Sequence, residues 1–286
     1  MSLKIVQPGI LSLLQDGGRT GQHRIGLTNG GPLDPEAFGY CNRLLQNPAG
    51  STAIEISFGG LQLEARTDTF ICLTGAAMPL RINNQEQRLW EVLPVKAGDT
   101  ISVEFAEKGC RAYLGVAGGF HIAPSFGSTA TVMREKIGGL RGDKLHAGDE
   151  LPCAEVSERK HLYLKEDHRP RYQNEVTVRV IPGYQQKHFS RFQQRRFFSH
   201  AFNVSDRCDR MGYRLEGPAI ECDIEGILSE GICFGAIQIP ADGQPIVLLN
   251  DRQTIGGYPK IGSALSLDCA RLAQLRPGGK VHFAPI

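Results

Sequence analysis

The chain has 286 residues, 41% of them apolar and 22% charged, with a formal net charge of +2. That composition belongs to a globular protein with a substantial core and excludes a disordered chain. Charges of both signs are interspersed, so no basic stripe points to nucleic acid or an anionic membrane, and no apolar run nears the roughly 18 residues of a membrane helix.

The opening MSLKIVQPGI carries no apolar h-region or small-residue cleavage site, so a cytoplasmic protein is expected. Eight cysteines stand singly, without a CxxC pair, and eight histidines lack H-x-H spacing. No metal site is therefore predicted. Cys72 and Cys233 sit in apolar runs and are expected to be small buried hydrophobes in a reduced protein.

Thirty-four glycines and sixteen prolines cut the chain into short apolar segments. In order they are Leu3 to Val6, Thr69 to Leu73, Thr100 to Phe105, Arg111 to Val116, Val176 to Ile181, Ala236 to Ile239, Ile246 to Asn250 and Lys280 to Phe283. Such spacing predicts an all-β protein of sandwich or barrel type with few short helices. The clearest helix is Asp34 to Leu45, where Asp34 can cap, Pro35 suits the first turn, and Phe38, Cys41, Leu44 and Leu45 share a face. Weaker helical patterns cover His188 to Phe198 and Leu267 to Leu275.

A charged stretch divides the chain into an N-terminal β-rich half (1–153), a linker or crossing segment (154–175) and a C-terminal β-rich half (176–286). Landmarks recur in the same order on both sides. Val6-Gln7-Pro8-Gly9 is echoed by Val180-Ile181-Pro182-Gly183, and Arg24-Ile25-Gly26 by Arg210-Met211-Gly212. An internal duplication is expected.

Chemistry concentrates in the second half. Asp251, Arg252, Gln253 and Thr254 follow an apolar strand directly, and Gly256-Gly257-Tyr258-Pro259 then turns the chain toward Lys260. Polar groups at the mouth of a buried strand beside paired glycines suit a binding site, or simply a polar strand-to-loop corner. Arg210 stands among Asp206, Arg207, Asp209, Tyr213 and Arg214, a crowding that suggests a site wall. Arg24 offers a planar fork for an anion or a local ion pair. Glu55 and Glu230 are the carboxylates placed near strands, and His121 follows a turn. Gly115 to Gly119 and Gly138 to Gly142 lack phosphate-loop spacing, so hairpin turns explain them as well as anion binding does.

The segments LLQDGGRTGQHRIGLTNGGPLDPEAF, AIEISFGG, GGLRGDKLHAGDELP, DRMGYRLEGP and LSEGICFGAIQIPADGQPIVLLNDRQTIGGYPKI resemble the biotin-dependent carboxyltransferase / KipA family, with matches from Leu3 to Phe283. The resemblance implies two tandem cyclophilin-like β-barrel halves. Stand-alone members of this length look like the C subunit of a 5-oxoprolinase, which hydrolyses 5-oxo-L-proline to L-glutamate with ATP. The implied partners are a KipI-like B subunit in direct contact and a LamB/YcsF-like A subunit. ATP, with magnesium on this or a partner subunit, is the implied cofactor. Other members are carboxyltransferase components of urea-type carboxylases, which would bring in biotin, or regulators that bind a kinase inhibitor. On matched positions, Arg252, Lys260, Gln253 and Asp251 are expected to be catalytic. Arg210, Tyr213, Tyr258, Gln238 and Arg24 are expected to contact substrate.

Overall fold

Where apolar and polar residues alternate, the backbone is extended with one face buried. In Glu175–Pro182, Val176, Val178 and Val180 are buried while Thr177 and Arg179 are exposed. The computed structural model describes residues 1–224 and 226–286. It divides into two units, one of residues 1–21 and 30–172, the other of residues 22–29 and 173–286.

The first unit holds β1 (Ser2–Pro8), β2 (Leu11–Gln15), helix α1 (Pro35–Leu44), β3 (Ala53–Ser57), β4 (Leu61–Ala65), β5 (Thr69–Ala77), β6 (Leu80–Ile82), β7 (Gln85–Gln87), β8 (Leu93–Val95), β9 (Thr100–Val103), β10 (Lys108–Val116) and β11 (Glu150–Pro152). They form a six-stranded sheet, β11-β1-β4-β9-β6-β7, and a five-stranded sheet, β2-β3-β10-β5-β8. The inward side chains Leu3, Ile5, Ile54, Ile56, Leu63, Leu73, Ile101 and Leu114 make one core. Asp34 caps α1 by accepting from the Ala37 amide at 3.0 Å, and Phe38, Cys41, Leu44 and Leu45 are buried as their spacing required. Residues beyond 153 stay bound to this unit, for the Val156 amide donates to the Asp68 carbonyl and the Leu164 amide to that of Trp90.

The second unit holds β12 (Glu175–Pro182), α2 (Arg191–Ser199), β13 (Phe202–Cys208), β14 (Gly212–Glu216), β15 (Glu230–Gly231), β16 (Ala236–Gln238), β17 (Ile246–Leu248), β18 (Ile255–Gly256), β19 (Lys260–Ala264), α3 (Ser266–Leu272) and β20 (Lys280–Pro285). Seven strands close a barrel in the order β12-β19-β16-β17-β14-β13-β20. Closure is made by β20, which runs parallel to β12 and antiparallel to β13. Phe197 of α2 stacks on Phe283 of β20 with ring centroids 4.3 Å apart, fixing the helix to the barrel wall.

The protein is thus mainly β, and the three α-helices among the described residues stand near the expected places. The barrel expected of each half is present in the second unit, whereas the first shares its strands between two sheets. Among the described residues no helix is long and apolar enough to cross a membrane.

Candidate functional site

Strands β15 and β18 lie outside the barrel ring and pair with each other, Glu230 opposite Gly256 and Gly231 opposite Ile255. Backbone bonds extend this ribbon at both ends. The Ile227 amide donates to the Gly257 carbonyl at 2.9 Å and the Ile232 amide to the Thr254 carbonyl at 3.0 Å. The Gly-rich sequence allows this close approach, since a Cβ on Gly256 would stand 2.5 Å from Ile232 Cδ1 and 3.0 Å from Gln238 Nε2.

Beside the ribbon is a cavity of about 300 Å³, lined by Tyr184, Gln185, Glu230, Cys233, Lys260 and Ser263 with Gly183, Gly231 and Gly262. Glu230 organises it. Its carboxylate pairs with Lys260 Nζ, accepts the Tyr184 hydroxyl, and accepts Gln185 Nε2 at 2.9 Å. Gln185 in turn accepts the Lys260 amide at 2.8 Å, which fastens the turn after β12 to the start of β19. The Lys260 ammonium, and then the Tyr184 hydroxyl, hold the Glu230 carboxyl below the usual carboxylate range. The same carboxylate raises the Tyr184 phenol above its ordinary value. The arrangement offers a cation, a phenol and a carboxylate on one wall, groups suited to binding a small polar ligand and moving a proton.

Of the residues expected to be catalytic, Lys260 is in the cavity wall. Gln253 is half-buried, with its Nε2 3.6 Å from the position a Gly256 Cβ would take. Asp251 is instead consumed by Arg210, whose Nε and Nη2 donate to its two carboxylate oxygens at 2.9 Å each. Arg210, expected to contact substrate, is found paired with Asp251, both side chains being under one-tenth exposed. Arg252 is 5% exposed and ties two loops by donating to the Ile232 carbonyl at 3.2 Å and the Leu249 carbonyl at 3.3 Å. Burial holds its guanidinium below the ordinary arginine value.

Among the expected substrate contacts, Tyr213 is packed within the barrel. It is 1% exposed, on a barrel strand opposite Val247, and its hydroxyl donates to the Ala273 and Leu275 carbonyls. Arg24 lies exposed in the 3₁₀ turn His23–Ile25 and is not among the cavity residues. Tyr258 is half-exposed at 46% and also stands outside that lining. Gln238 is 1% exposed on β16, Cα-paired with Lys260.

Cys233 corrects another expectation, for it is exposed, lines the cavity and contacts Ser263 Oγ at 3.2 Å. Glu55 is buried and occupied within the first unit, accepting from Tyr113 at 2.7 Å and the Leu33 amide at 2.9 Å. Sequence reasoning missed Tyr184, Gln185 and Ser263. The first two directly follow Val180-Ile181-Pro182-Gly183, so the Pro-Gly turn ending that strand was the available signal.

A barrel-bearing, mainly β chain with a polar cavity on the barrel's outlying ribbon is the class that the fold defines. A family model described as carboxyltransferase domain, subdomain A and B, matches residues 25–285, and the chain belongs to that family. It is 37% identical to the 5-oxoprolinase C subunit of Escherichia coli (strain K12), over 98% of this chain and 90% of that protein. The solved structure of TTHA0988 superposes with a TM-score of 0.89 at 32% identity, over 99% of this chain and 55% of that one. The Kluyveromyces lactis urea carboxylase gives 0.93 at 26% identity, over 100% of this chain and 27% of that one. This chain therefore spans about half the length of one solved relative and about a quarter of the other.

Proposed function

We propose that this chain is the C subunit of a multi-subunit 5-oxoprolinase, taking part in ATP-dependent hydrolysis of 5-oxo-L-proline to L-glutamate. The observation that carries the reading is the similarity to the Escherichia coli protein, which runs over nearly the whole of both chains. Its partners in this reading are a KipI-like B subunit in direct contact and a LamB/YcsF-like A subunit, in the cytoplasm.

Opening the lactam breaks the ring C–N bond, adds water at the carbonyl carbon and places a proton on the departing nitrogen. Lys260 gives the cavity a positive charge for the substrate carboxylate. Tyr184 supplies a hydroxyl at the same wall, and Glu230 can hold a proton or orient water. Arg252 acts at one remove by bonding the carbonyls of Ile232 and Leu249.

The named cations fit a triphosphate poorly. Arg210 is bonded to Asp251 and Arg252 to backbone carbonyls, which leaves Lys260 as one cation, beside the Glu230 carboxylate, against a group of several negative charges. Among the described residues no three of His, Cys, Asp or Glu gather as ligands for a metal ion. In this reading ATP and its magnesium sit on a partner subunit or on a site shared with one.

The test is glutamate release from 5-oxo-L-proline and ATP by the three co-purified subunits, each omitted in turn. Turnover that vanishes without this chain supports the reading, and turnover indifferent to it overturns it. The full-length superposition on a urea carboxylase favours one second reading, a carboxyltransferase component. Carboxyl transfer to urea that depends on a biotin carrier would select it.

A further inference from the structure

Buried side-chain amides in this chain are generally put to use. Gln15 donates to the Thr131 carbonyl at 3.0 Å and accepts the Gly31 amide at 2.9 Å. Gln185 bonds Glu230, Tyr184 and the Lys260 amide. Gln238 differs. It is 1% exposed, and its Nε2 is fully enclosed and without a hydrogen-bond partner among the described residues. A buried donor in that state carries an unrecovered desolvation cost, which a ligand in the bound state can recover.

We propose that Gln238 recognises the edge of a cis-amide, its Nε2 donating to a ligand carbonyl while its Oε1 accepts the adjacent ligand N–H. A primary amide carries one donor beside one acceptor, and the complementary partner carries the same pair reversed. Lactams and cyclic or simple ureas have that edge. A trans amide places its N–H and C=O on opposite sides, and an ester or carboxylate lacks the donor. The choice of a lactam rests on the 5-oxoprolinase reading, whereas the edge itself would serve a ureido ligand equally well.

Position supports the assignment. Gln238 is the Cα partner of Lys260, so cavity and amide lie on neighbouring strands. A Cβ on Gly256 would stand 3.0 Å from Gln238 Nε2, so the ribbon that pairs outside the barrel ring passes directly over the amide. That ribbon is fastened to the barrel side through Glu230, by its bonds to Lys260, Tyr184 and Gln185. A ligand carboxylate entering the cavity competes with Glu230 for Lys260 and loosens the cover over the amide. 5-Oxo-L-proline carries both groups, a carboxylate and a lactam edge.

The experiment measures binding to the co-purified three-protein assembly by calorimetry. The ligands are 5-oxo-L-proline, its N-methyl derivative and 2-oxoimidazolidine-4-carboxylate, a cyclic urea. The first and third are expected to bind, and the N-methyl compound to bind at least about tenfold more weakly because it lacks the donor. Gln238→Leu is expected to weaken 5-oxo-L-proline binding by a similar factor while the melting temperature holds or rises, since it removes an unpaired buried donor. Equal affinity for the N-methyl compound, binding unaffected by Gln238→Leu, or no binding of either N–H ligand overturns the proposal. Should Gln238→Leu fail to fold, the N-methyl comparison on the unaltered chain decides. Gln238-dependent binding of the cyclic urea without glutamate release keeps this proposal and sinks the 5-oxoprolinase reading. Glutamate release whose KM ignores Gln238→Leu does the reverse.

Discussion

Arg210 and Asp251 meet edge to edge, Nε to Oδ2 and Nη2 to Oδ1 at 2.9 Å each, and the Asp251 amide also donates to the Arg210 carbonyl. The pair joins the turn before β14 to the turn after β17, two strands already in register through Gly212 and Leu248. Removing one partner strands a buried charge. Arg210→Ala or Asp251→Ala is expected to lose about 3–5 kcal/mol in urea unfolding, and Arg210→Met with Asp251→Leu to regain most of it. A single variant as stable as the parent would show that the pair does not hold these turns.

Glu230 is expected to make the ribbon acid-sensitive. Its carboxyl is held below its usual range in the folded chain, by Lys260 first and then Tyr184. A depressed carboxyl favours folding above its unfolded pKa, and that contribution fades as pH falls through the folded value. Melting temperature measured downward from neutral pH should therefore fall more steeply below about pH 4 in the parent than in Glu230→Gln. Parallel curves would deny Glu230 this role.

Arg252 has carbonyl partners on both sides, Ile232 in the ribbon and Leu249 after β17. Truncation to Ala leaves the Ile232 carbonyl without its donor, at a cost of about 2 kcal/mol, while the Leu249 carbonyl keeps the backbone amide of residue 252. Glutamate release by the reconstituted subunits should fall, and hydrogen exchange at the Ile232 amide should rise. Full activity in Arg252→Ala would remove the residue from the site.

Tyr213→Phe separates packing from catalysis. The hydroxyl bonds within the barrel at the carbonyls named above, so its loss is expected to lower stability by about 1 kcal/mol and leave kcat and KM unchanged. A change in KM would restore Tyr213 to the substrate contacts.

Cys233 is the exposed cysteine, while burial pushes the Cys153 thiol up to about 11 and that of Cys269 up to about 12. Iodoacetamide should alkylate Cys233 first, as read by peptide mass spectrometry, and a ligand filling the cavity should slow it. Uniform labelling of all eight thiols would contradict the burial pattern.

Strand positions and α1 were legible because period-two alternation, capping and turn residues are local properties. The Gly256 to Lys260 cluster was legible as polar chemistry beside flexible backbone. Partner choice was not. Asp209 and Asp206 were the near carboxylates for Arg210, yet the barrel register delivers Asp251 from 41 positions away, while Asp209 is spent on the amides of Met211 and Gly212. Tyr213 and Tyr184 look alike in sequence. Only the direction each faces, into the barrel wall for Tyr213 and toward Glu230 for Tyr184, separates their roles.

The parallel pairing of β12 with β20 sets Glu175 opposite Lys280 and Val180 opposite Pro285, so the ring is sealed by residues about a hundred positions apart. Neighbouring pairs such as β13 with β14 close short loops and can form early, whereas the seal must overcome the entropy of a long one. Until then β12 and β13 each present a bare hydrogen-bonding edge. A nascent chain arrested before Lys280 would carry those open edges as a template for association with its neighbours, and completing the last strand removes them.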